Sequence, residues 1–220
     1  MTAGSIPDTR DRLLRAAIEV FSEHGFERAT VREICRRAGA NVAAVNYHFG
    51  DKKHLYAAIF DAVFETLHAS RTAFLPRSAP AEQRLESCIR AFFQELFYRD
   101  KNGRDSTQLS AMYLMEMARP TEVLDRIVRD YIGGDVEELR DIVAALLGED
   151  ADLNAVVNCS SSVAGQILYY YQARPLIERL HPRLAPPEQR LEELVQHVLA
   201  FSLAGIAATR NALAGGSTDR

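Results

Sequence analysis

"TVREICRRAGANVAAVNYHFG", residues 30–50, is the stretch of sequence that decides the fold. It holds two short segments of helical period joined by the tight sequence Ala-Gly-Ala-Asn. Thr30 opens the first segment and Glu33 follows three residues later, which is the pattern of a capping box. Gly39 suits the end of that segment, and Asn41 is a good N-cap for the next one. The stretch therefore predicts two short helices around a glycine turn.

Helical spacing gives the second of these helices an inward and an outward face. Val42, Val45 and Phe49 fall on one side and are predicted to pack inward. The opposite side carries small, polar and aromatic residues, predicted to face outward: Ala43, Ala44, Asn46, Tyr47 and His48. An outward face of this kind suggests a partner outside the core of the chain.

The remaining segments also have helical period, and none has a convincing strand period. An apolar stripe before the quoted stretch predicts a first helix capped by Asp8 or Thr9 and ended by Gly25. Asp51 is expected to cap a fourth helix that runs over about 52–74. The proline-rich "PRSAP" that comes next is the first strong break in the helical pattern.

Further helices are predicted beyond this break. They cover about 85–98, 107–118, 121–147, 153–171 and 188–212, and the fourth of these continues or restarts through 176–180. Two adjacent glycines inside the third of them predict a kink or a break. The fold class is therefore all-α, with a helix-turn-helix domain at 1–54 and a larger helical domain at 55–220, connected by the fourth helix.

Composition bounds the class of protein. The chain has 220 residues, of which 47% are apolar, so it can bury a sizeable core and disorder is not expected. The net charge is -4. The first 54 residues nevertheless hold nine Lys and Arg against seven Asp and Glu, whereas the rest holds 17 against 23. The acidic excess thus belongs to the later part, and the early part is mildly basic.

The cysteines and the apolar runs exclude several other classes. Cys35, Cys88 and Cys159 lie far apart, with no paired spacing, which favours reduced, buried thiols over a disulfide framework or a zinc site. No apolar signal region opens the chain, and no apolar run approaches the roughly 18 residues of a membrane span. We therefore expect a cytoplasmic protein without a metal or a cofactor.

The outward residues suit the surface of a DNA duplex. The second helix of a helix-turn-helix unit enters the major groove. Small side chains at Ala43 and Ala44 would allow close approach to base edges, and Asn46 is the residue type that pairs bidentately with adenine. Tyr47 and His48 can hydrogen-bond phosphates or bases. Phosphate contacts are also predicted from residues at the starts of the second and fourth helices: Thr30, Arg32, Lys52 and Lys53.

The same stretch resembles the N-terminal signature of the TetR family of bacterial transcriptional regulators. Matching positions run from Thr30 through "AGAN" to "YHFGDKKHL", and the resemblance covers roughly residues 10–60. Asn41 stands where the family usually has serine, and Asn46 where it often has an aromatic residue. The resemblance implies groove binding by this helix, and among its DNA-facing residues it includes Val42 as well as the outward set.

The resemblance also implies a helical domain that binds a small-molecule effector and forms a homodimer. Aromatic and methionine residues at helical spacing are candidates to line its pocket, although such stripes are more often plain core: Phe93, Phe97, Met112, Tyr113, Met115, Tyr169 and Tyr170. The dimer is expected to use the last two long helices. Their close-packing stripes are predicted at Ser160, Ala164, Leu168, Val195, Leu199, Ser202 and Ile206.

Three classes of function compete at this point. The first is a dimeric, ligand-responsive DNA-binding protein, most simply a repressor of transcription. The second is a helical enzyme, but the common hydrolase, metalloprotease and nucleotide-binding motifs are missing and the histidines are dispersed. The third is a helical interaction protein that has lost DNA binding. Salt-dependent DNA binding separates the first class from the third, and turnover of a substrate identifies the second.

Overall fold

The structure is a computed structural model, and it describes residues 8–70, 73–97 and 107–216. Helices make up the regular structure of these described residues, which confirms the predicted all-α class. In chain order they are α1 Thr9–Arg28, α2 Val31–Ala38, α3 Val42–Phe49, α4 Lys52–Ser70, α5 Ala81–Leu96, α6 Thr107–Ala118, α7 Glu122–Ile127, α8 Gly133–Leu147, α9 Leu153–Gln172, α10 Arg174–Leu180 and α11 Leu191–Gly216.

The first helix differs from its predicted form at both ends. Asp8 occupies the N-cap position, but its side chain makes no capping hydrogen bond. Gly25 has a φ of +71°, which a residue with a side chain rarely adopts, so regular helix stops there as predicted. One more helical turn comes after it, and α1 ends at Arg28.

The long helix predicted over 121–147 is divided into two. A π-helical stretch at Val128–Ile132 separates α7 from α8. The break thus comes directly before Gly133, close to where the paired glycines predicted it. The last helix begins at Leu191, after a 3-10 turn at Pro187–Gln189, and not near residue 188.

The chain separates into two compact units, each of which combines two parts of the sequence. The first unit draws on residues 1–69 and 99–131, and the second on residues 70–98 and 132–220. In the first unit α1 packs against α2, α3 and α6. The helix α6 therefore belongs to the same unit as the helix-turn-helix, although α5 precedes it in the sequence and lies in the other unit.

Apolar residues of α1, α2, α3 and α4 meet in the core of the first unit. Phe21, Ile34, Val45 and Leu55 are each fully buried there. The ring of Tyr56 lies 4.8 Å from that of Phe21, centroid to centroid, which joins α4 to α1. Because every helix gives one apolar stripe to this core, only the opposite faces remain for a partner.

The second unit is built around a separate core from α5, α8, α9 and α11. Its buried members include residues of all four helices: Leu85, Ile89, Phe93, Ile142, Val143, Val163, Ile167, Val195, Val198 and Ile206. Arg84 and Glu138 form a partly buried ion pair at the edge of this core, with 2.7 Å between Nη2 and Oε1. Packing around this core determines which faces of α9 and α11 remain outward.

One helix within the described ranges is long and apolar enough on average to cross a membrane, judged by length and composition only, although the chain has no unbroken apolar run of that length. It is Leu191–Gly215 in α11, with a mean hydropathy of 1.3, and 17% of the tested window is buried. A core helix or a helix at a subunit interface passes the same test. Helix α11 therefore carries apolar surface that the second unit itself does not cover.

Candidate nucleic-acid interface

The turn between α2 and α3 is fixed by a cap at each side. The Glu33 backbone N–H donates to Thr30 Oγ1 at 3.2 Å, which caps the start of α2. Gly39 ends α2 in the left-handed conformation, with a φ of +60°. The Ala44 backbone N–H donates to Asn41 Oδ1 at 2.9 Å, which fixes the first turn of α3. All three features follow from local sequence, and the structure has them where the sequence predicted them.

The second half of the predicted capping box is not formed. The Glu33 carboxylate accepts hydrogen bonds from Arg36 at 2.7 and 2.9 Å and from Arg37 at 2.9 Å, and none from the Thr30 backbone. These guanidinium donors lower the pKa of Glu33 to about 2. Charged donors make stronger bonds than a neutral N–H, so they hold the carboxylate. Arg37 also bonds Glu23, at 2.7 and 2.8 Å.

One side of α3 packs into the core of the first unit. Val45 is fully buried and Phe49 is half-buried, as predicted. The prediction that Val42 packs inward is wrong, because its side chain is 44% exposed. Val42 is the first residue of α3, and helical side chains tilt towards the helix N-terminus, so this one projects past the end of the helix.

The opposite face of α3 is open. Ala43, Asn46 and Tyr47 are exposed, and Ala44 and His48 are half-buried. Tyr47 is 85% exposed, which is unusual for a large aromatic side chain in a folded unit. Within the described part of the chain, Asn46 makes no side-chain hydrogen bond. The predicted outward face of α3 is therefore solvent-exposed and mostly unengaged.

A row of rings lies at the end of α3. Tyr47 and His48 meet edge-on at 5.0 Å between centroids, and His48 lies 6.2 Å from Phe49. The guanidinium carbon of Arg10, in the first turn of α1, lies 5.5 Å from the Phe49 ring centroid. This row joins the exposed face of α3 to the start of α1. Arg10 is not among the site residues predicted from the sequence, because its only sequence signal is its type.

Lys52 uses its ammonium group inside the first unit. Its Nζ donates to the Ala29 carbonyl at 3.0 Å and to the Glu27 carbonyl at 3.4 Å, and lies 4.4 Å from the Phe26 ring centroid. Cations are favourable at a helix C-terminus, where carbonyls lack partners. Lys52 thus fastens the start of α4 to the end of α1. Its predicted phosphate contact stays a prediction.

The other two predicted phosphate contacts differ in their surroundings. Lys53 forms an exposed ion pair with Glu122 at the start of α7. Arg32 is exposed and has no ion pair with another described residue. Of these two side chains, only that of Arg32 could reach an anion without first giving up a carboxylate.

Helix α4 is attached to the segment 116–131 through a buried acid. Glu116 is 1% exposed. It accepts a hydrogen bond from Tyr56 Oη at 3.1 Å, and from the Thr121 backbone N–H and hydroxyl at 2.6 and 2.8 Å. Burial, together with the nearby carboxylate, raises the pKa of Tyr56. Glu116 therefore connects α4, α6 and the start of α7 in one hydrogen-bonded group.

A second attachment lies further along α4. Asp61 accepts hydrogen bonds from Arg126 at 2.8 Å and from Tyr131 Oη at 2.6 Å. Burial and the hydrogen bond to Asp61 raise the pKa of Tyr131 to about 12. The Tyr131 ring also stacks on Phe64, 4.7 Å between centroids. One face of α4 is thus held at several points by residues far away in the sequence.

The predicted effector-binding residues fall into two groups, in different units. In the second unit the Phe93 ring is buried and lies 6.1 Å from those of Phe97 and Tyr170, whereas Tyr169 is exposed. In the first unit the remaining candidates range from buried to exposed: Met112, Tyr113 and Met115. That all of them line one pocket stays a prediction.

The outward faces of α9 and α11 carry apolar and small residues among polar ones, but these are not the residues of the predicted stripes. Ser160, Val195, Ser202 and Ile206 are buried within the second unit, so the stripes proposed from the sequence face the core of the chain itself. The exposed faces carry other apolar and small residues: Leu153, Val157, Gly165 and Tyr169 on α9, and Ala200, Phe201, Ala204 and Ala208 on α11. Helical period finds an apolar stripe, but it does not say which stripe the core takes.

The cysteines and the metal-ligating residues add no site. Cys35 and Cys88 are buried, and Cys159 is half-buried, which corrects the expectation that all three are buried. All three are free thiols. Within the described residues, no group of three His, Cys, Asp or Glu side chains lies close enough to hold a metal ion.

Two family models match the chain. The model described as bacterial regulatory proteins, tetR family, matches residues 13–59. The model described as HTH-type transcriptional dual regulator CecR, C-terminal domain, matches residues 81–206, which is more than half of the chain.

Individual proteins agree with the family models. The chain is 28% identical over 170 residues to the HTH-type transcriptional dual regulator CecR of Shigella flexneri, covering 73% of this chain and 74% of that protein. It is 40% identical over 60 residues to the HTH-type transcriptional repressor AcnR of Corynebacterium glutamicum, covering 27% and 32%. A solved putative tetR family regulator from Shewanella sp. PV-4 has the same fold, with a TM-score of 0.62 and 21% identity over 91% of this chain and 96% of that one.

Proposed function

Because this chain belongs to the TetR family of bacterial transcriptional regulators, we propose that it is a dimeric, effector-responsive repressor of transcription. The observation that carries the proposal is the exposed face of α3, with Asn46 and Tyr47 pointing away from a fully anchored Val45. A capped, core-packed helix with an unengaged polar face is what major-groove reading requires. The reading part is the segment 1–54.

The α3 residues have separate proposed tasks. Asn46 reads a base edge bidentately, and Ala43 and Ala44 allow close approach to the groove. Val42 contacts an apolar group such as a thymine methyl. The polar residues around them position the helix by contacts to phosphates: Thr30, Arg32, Lys52, Lys53, Tyr47 and His48. Tyr47 and His48 can hydrogen-bond bases as well.

We place the dimer interface on the outward faces of α9 and α11. Phe201 is 65% exposed, and small residues on either side of it allow a second helix to approach closely. Two helices from each subunit would then form a four-helix interface that covers the apolar surface of α11. This assignment also accounts for the apolar character of that helix in a cytoplasmic protein.

An effector is proposed to act by changing the spacing of the two α3 helices. Two recognition helices must reach successive major grooves, about 34–36 Å apart. A ligand that binds more tightly to a conformer with another spacing reduces the affinity for the operator. The reduction equals the ratio of the ligand's affinities for the two conformers, typically about 5- to 150-fold. The rings of Phe93, Phe97 and Tyr170 in the second unit are the proposed contact surface. Native mass spectrometry of the purified protein would identify a retained small molecule.

Selection of bound DNA from a random pool tests the function directly. We expect a two-fold-symmetric sequence whose half-site centres are about 10 base pairs apart, or a multiple of that. If no sequence is enriched and DNA binding does not depend on salt, the chain is better explained as a helical interaction protein that has lost DNA binding. Turnover of a substrate would instead favour an enzyme. A reporter gene placed behind the enriched site then distinguishes the modes of regulation. Lower expression in the presence of the protein indicates repression, and higher expression at some sites would indicate dual regulation of the kind named for CecR.

The variant Asn46→Ala tests the reading residue. If Asn46 pairs with a base, discrimination at one position of the selected site should fall by about 1–3 kcal/mol while stability is unchanged, because the side chain is exposed. Gln189→Ala is the control, because it removes an exposed amide side chain in the 3-10 turn before α11, away from α3 and from the outward faces of α9 and α11. Equal losses on the selected site and on random DNA would remove Asn46 from base reading.

A further inference from the structure

We propose that Arg10 is a phosphate-binding residue of the DNA interface, held against the end of α3 by the ring of Phe49. The proposal rests on the proposed function, since it adds a contact at the same surface. It is carried by the position of the guanidinium, 5.5 Å from the Phe49 ring centroid, and by the exposure of Arg10. The start of α1 thereby becomes part of the interface.

The position of Arg10 places it beside the proposed reading face. Phe49 is the last residue of α3, and its ring continues the row that begins at Tyr47 and passes through His48. Tyr47 is the most exposed of the three and belongs to the proposed reading face. The guanidinium of Arg10 therefore lies at the C-terminal end of α3, one ring away from His48, which is among the residues proposed to contact DNA.

The charge of Arg10 is available to an anion. The two lysines proposed to contact phosphates each have a partner in the first unit that a phosphate would have to displace: two carbonyls and a ring for Lys52, and Glu122 for Lys53. Arg32 is exposed and has no ion pair with another described residue. Arg36 and Arg37 are paired with carboxylates. Arg10 forms no ion pair with another described residue. Among the residues that the structure describes, no carboxylate at contact distance therefore neutralises its charge.

The geometry of the ring contact leaves the donors of Arg10 usable. A ring contact uses the face of a guanidinium, whereas its five N–H donors lie in its plane. Arg10 can therefore keep its contact with Phe49 and still donate to two oxygens of one phosphate. The ring also restricts the long side chain before DNA arrives, so less conformational freedom is lost on binding.

The competing interpretation is that Arg10 only stabilises the first unit. Asp8 and Asp11 lie near it in sequence, at the start of α1, and oppose a strongly positive potential there. The two interpretations differ in one measurable quantity. A phosphate contact contributes to the salt dependence of DNA binding, whereas a packing contact does not.

The experiment compares salt slopes on one labelled duplex carrying the selected site. Full-length wild type, Arg10→Gln, Arg10→Lys and Arg15→Gln are titrated by fluorescence anisotropy between about 50 and 200 mM salt. Arg15 is the control, because it is an exposed arginine of α1 about 140° further round the helix, and it too has no ion pair with a described residue. Circular dichroism confirms that each variant is folded.

We expect Arg10→Gln to flatten the slope by about 0.9 per subunit, hence about 1.8 for a dimer. Over a fourfold change in salt, the wild type then loses roughly 12-fold more affinity than the variant does. Arg10→Lys retains the slope, because the charge remains. Arg15→Gln leaves it unchanged.

Two results overturn the proposal in distinguishable ways. If wild type and Arg15→Gln bind with a clear salt slope and Arg10→Gln shares it, the function stands and the Arg10 contact is wrong. If wild type itself binds no duplex, the proposed function fails and the contact fails with it. In the first case, a lower melting temperature of Arg10→Gln would assign Arg10 to packing.

Discussion

Replacement of Glu116 by alanine should destabilise the first unit strongly. This carboxylate accepts three hydrogen bonds, two from Thr121 and one from Tyr56, and the tyrosine side chain is almost fully buried. Truncation leaves the Tyr56 hydroxyl without its partner in an apolar setting, at a cost of about 1–3 kcal/mol. The Thr121 donors are partly exposed and can turn to water, so each loses roughly 0.5–1 kcal/mol.

The total loss of stability is the sum of these separate effects. One lost methylene adds about 0.8 kcal/mol, which brings the expected loss for Glu116→Ala to about 3–6 kcal/mol. Glu116→Gln should cost only about 1 kcal/mol. Its amide oxygen can still accept from Thr121, and its amide N–H can donate to the Tyr56 oxygen. The difference between the two variants isolates the hydrogen bonds from the charge.

Thermal unfolding and hydrogen exchange measure the effect. Even the smallest expected loss, about 3 kcal/mol in a unit of roughly 100 residues, lowers the melting temperature by at least about 10 °C. Exchange should accelerate in peptides from both α4 and α6, because the acid connects them. Glu122→Ala is the control, an exposed neighbour whose ion pair with Lys53 contributes little. Equal behaviour of the alanine variants at 116 and 122 would refute the role of the buried acid.

Three other perturbations address the interface, its electrostatics and the dimer. Val45→Ala should destabilise the first unit by about 1.5–2 kcal/mol in thermal unfolding, because Val45 is buried. Val42→Ala should leave stability unchanged and weaken DNA binding, because Val42 is exposed. Equal losses of stability in the two variants would contradict this. The Glu33 carboxyl should titrate near pH 2 by NMR, since its two arginine partners lower its pKa. Its contribution to stability is then present above about pH 4.5 and is lost as the pH falls towards 2, and a Glu33 pKa near 4.5 would exclude those ion pairs in solution. Phe201→Glu should yield folded monomers in analytical ultracentrifugation, because it places a charge on the outward face of α11. The control Leu176→Glu, at an exposed leucine of α10, should stay dimeric. If both variants are dimers, the outward face of α11 is not part of the interface.

Local sequence was sufficient for the parts of the site that depend on neighbouring residues. Gly39 and Asn41 set the turn because a positive φ and a side-chain cap involve only a few consecutive residues. Val45 and Tyr47 took opposite faces of α3 because helical period alone separates them. The other half of the capping box, a bond from the Thr30 backbone N–H to the Glu33 carboxylate, does not form. Arg36 and Arg37 are stronger donors and bind that carboxylate instead, and the short motif contains no information about this competition.

The sequence by itself determined the all-α class, the helix-turn-helix and the composition of its outward face. Only the tertiary structure decided which stripes of α9 and α11 face the core. It also decided that Lys52 is engaged by carbonyls 23 and 25 residues earlier in the chain, and that Glu116 bonds Tyr56 from 60 residues away. The physical reason is distance along the chain. Caps, glycines and helical period act within a turn or two, whereas the partner of a lysine or a buried acid is chosen by how whole helices pack.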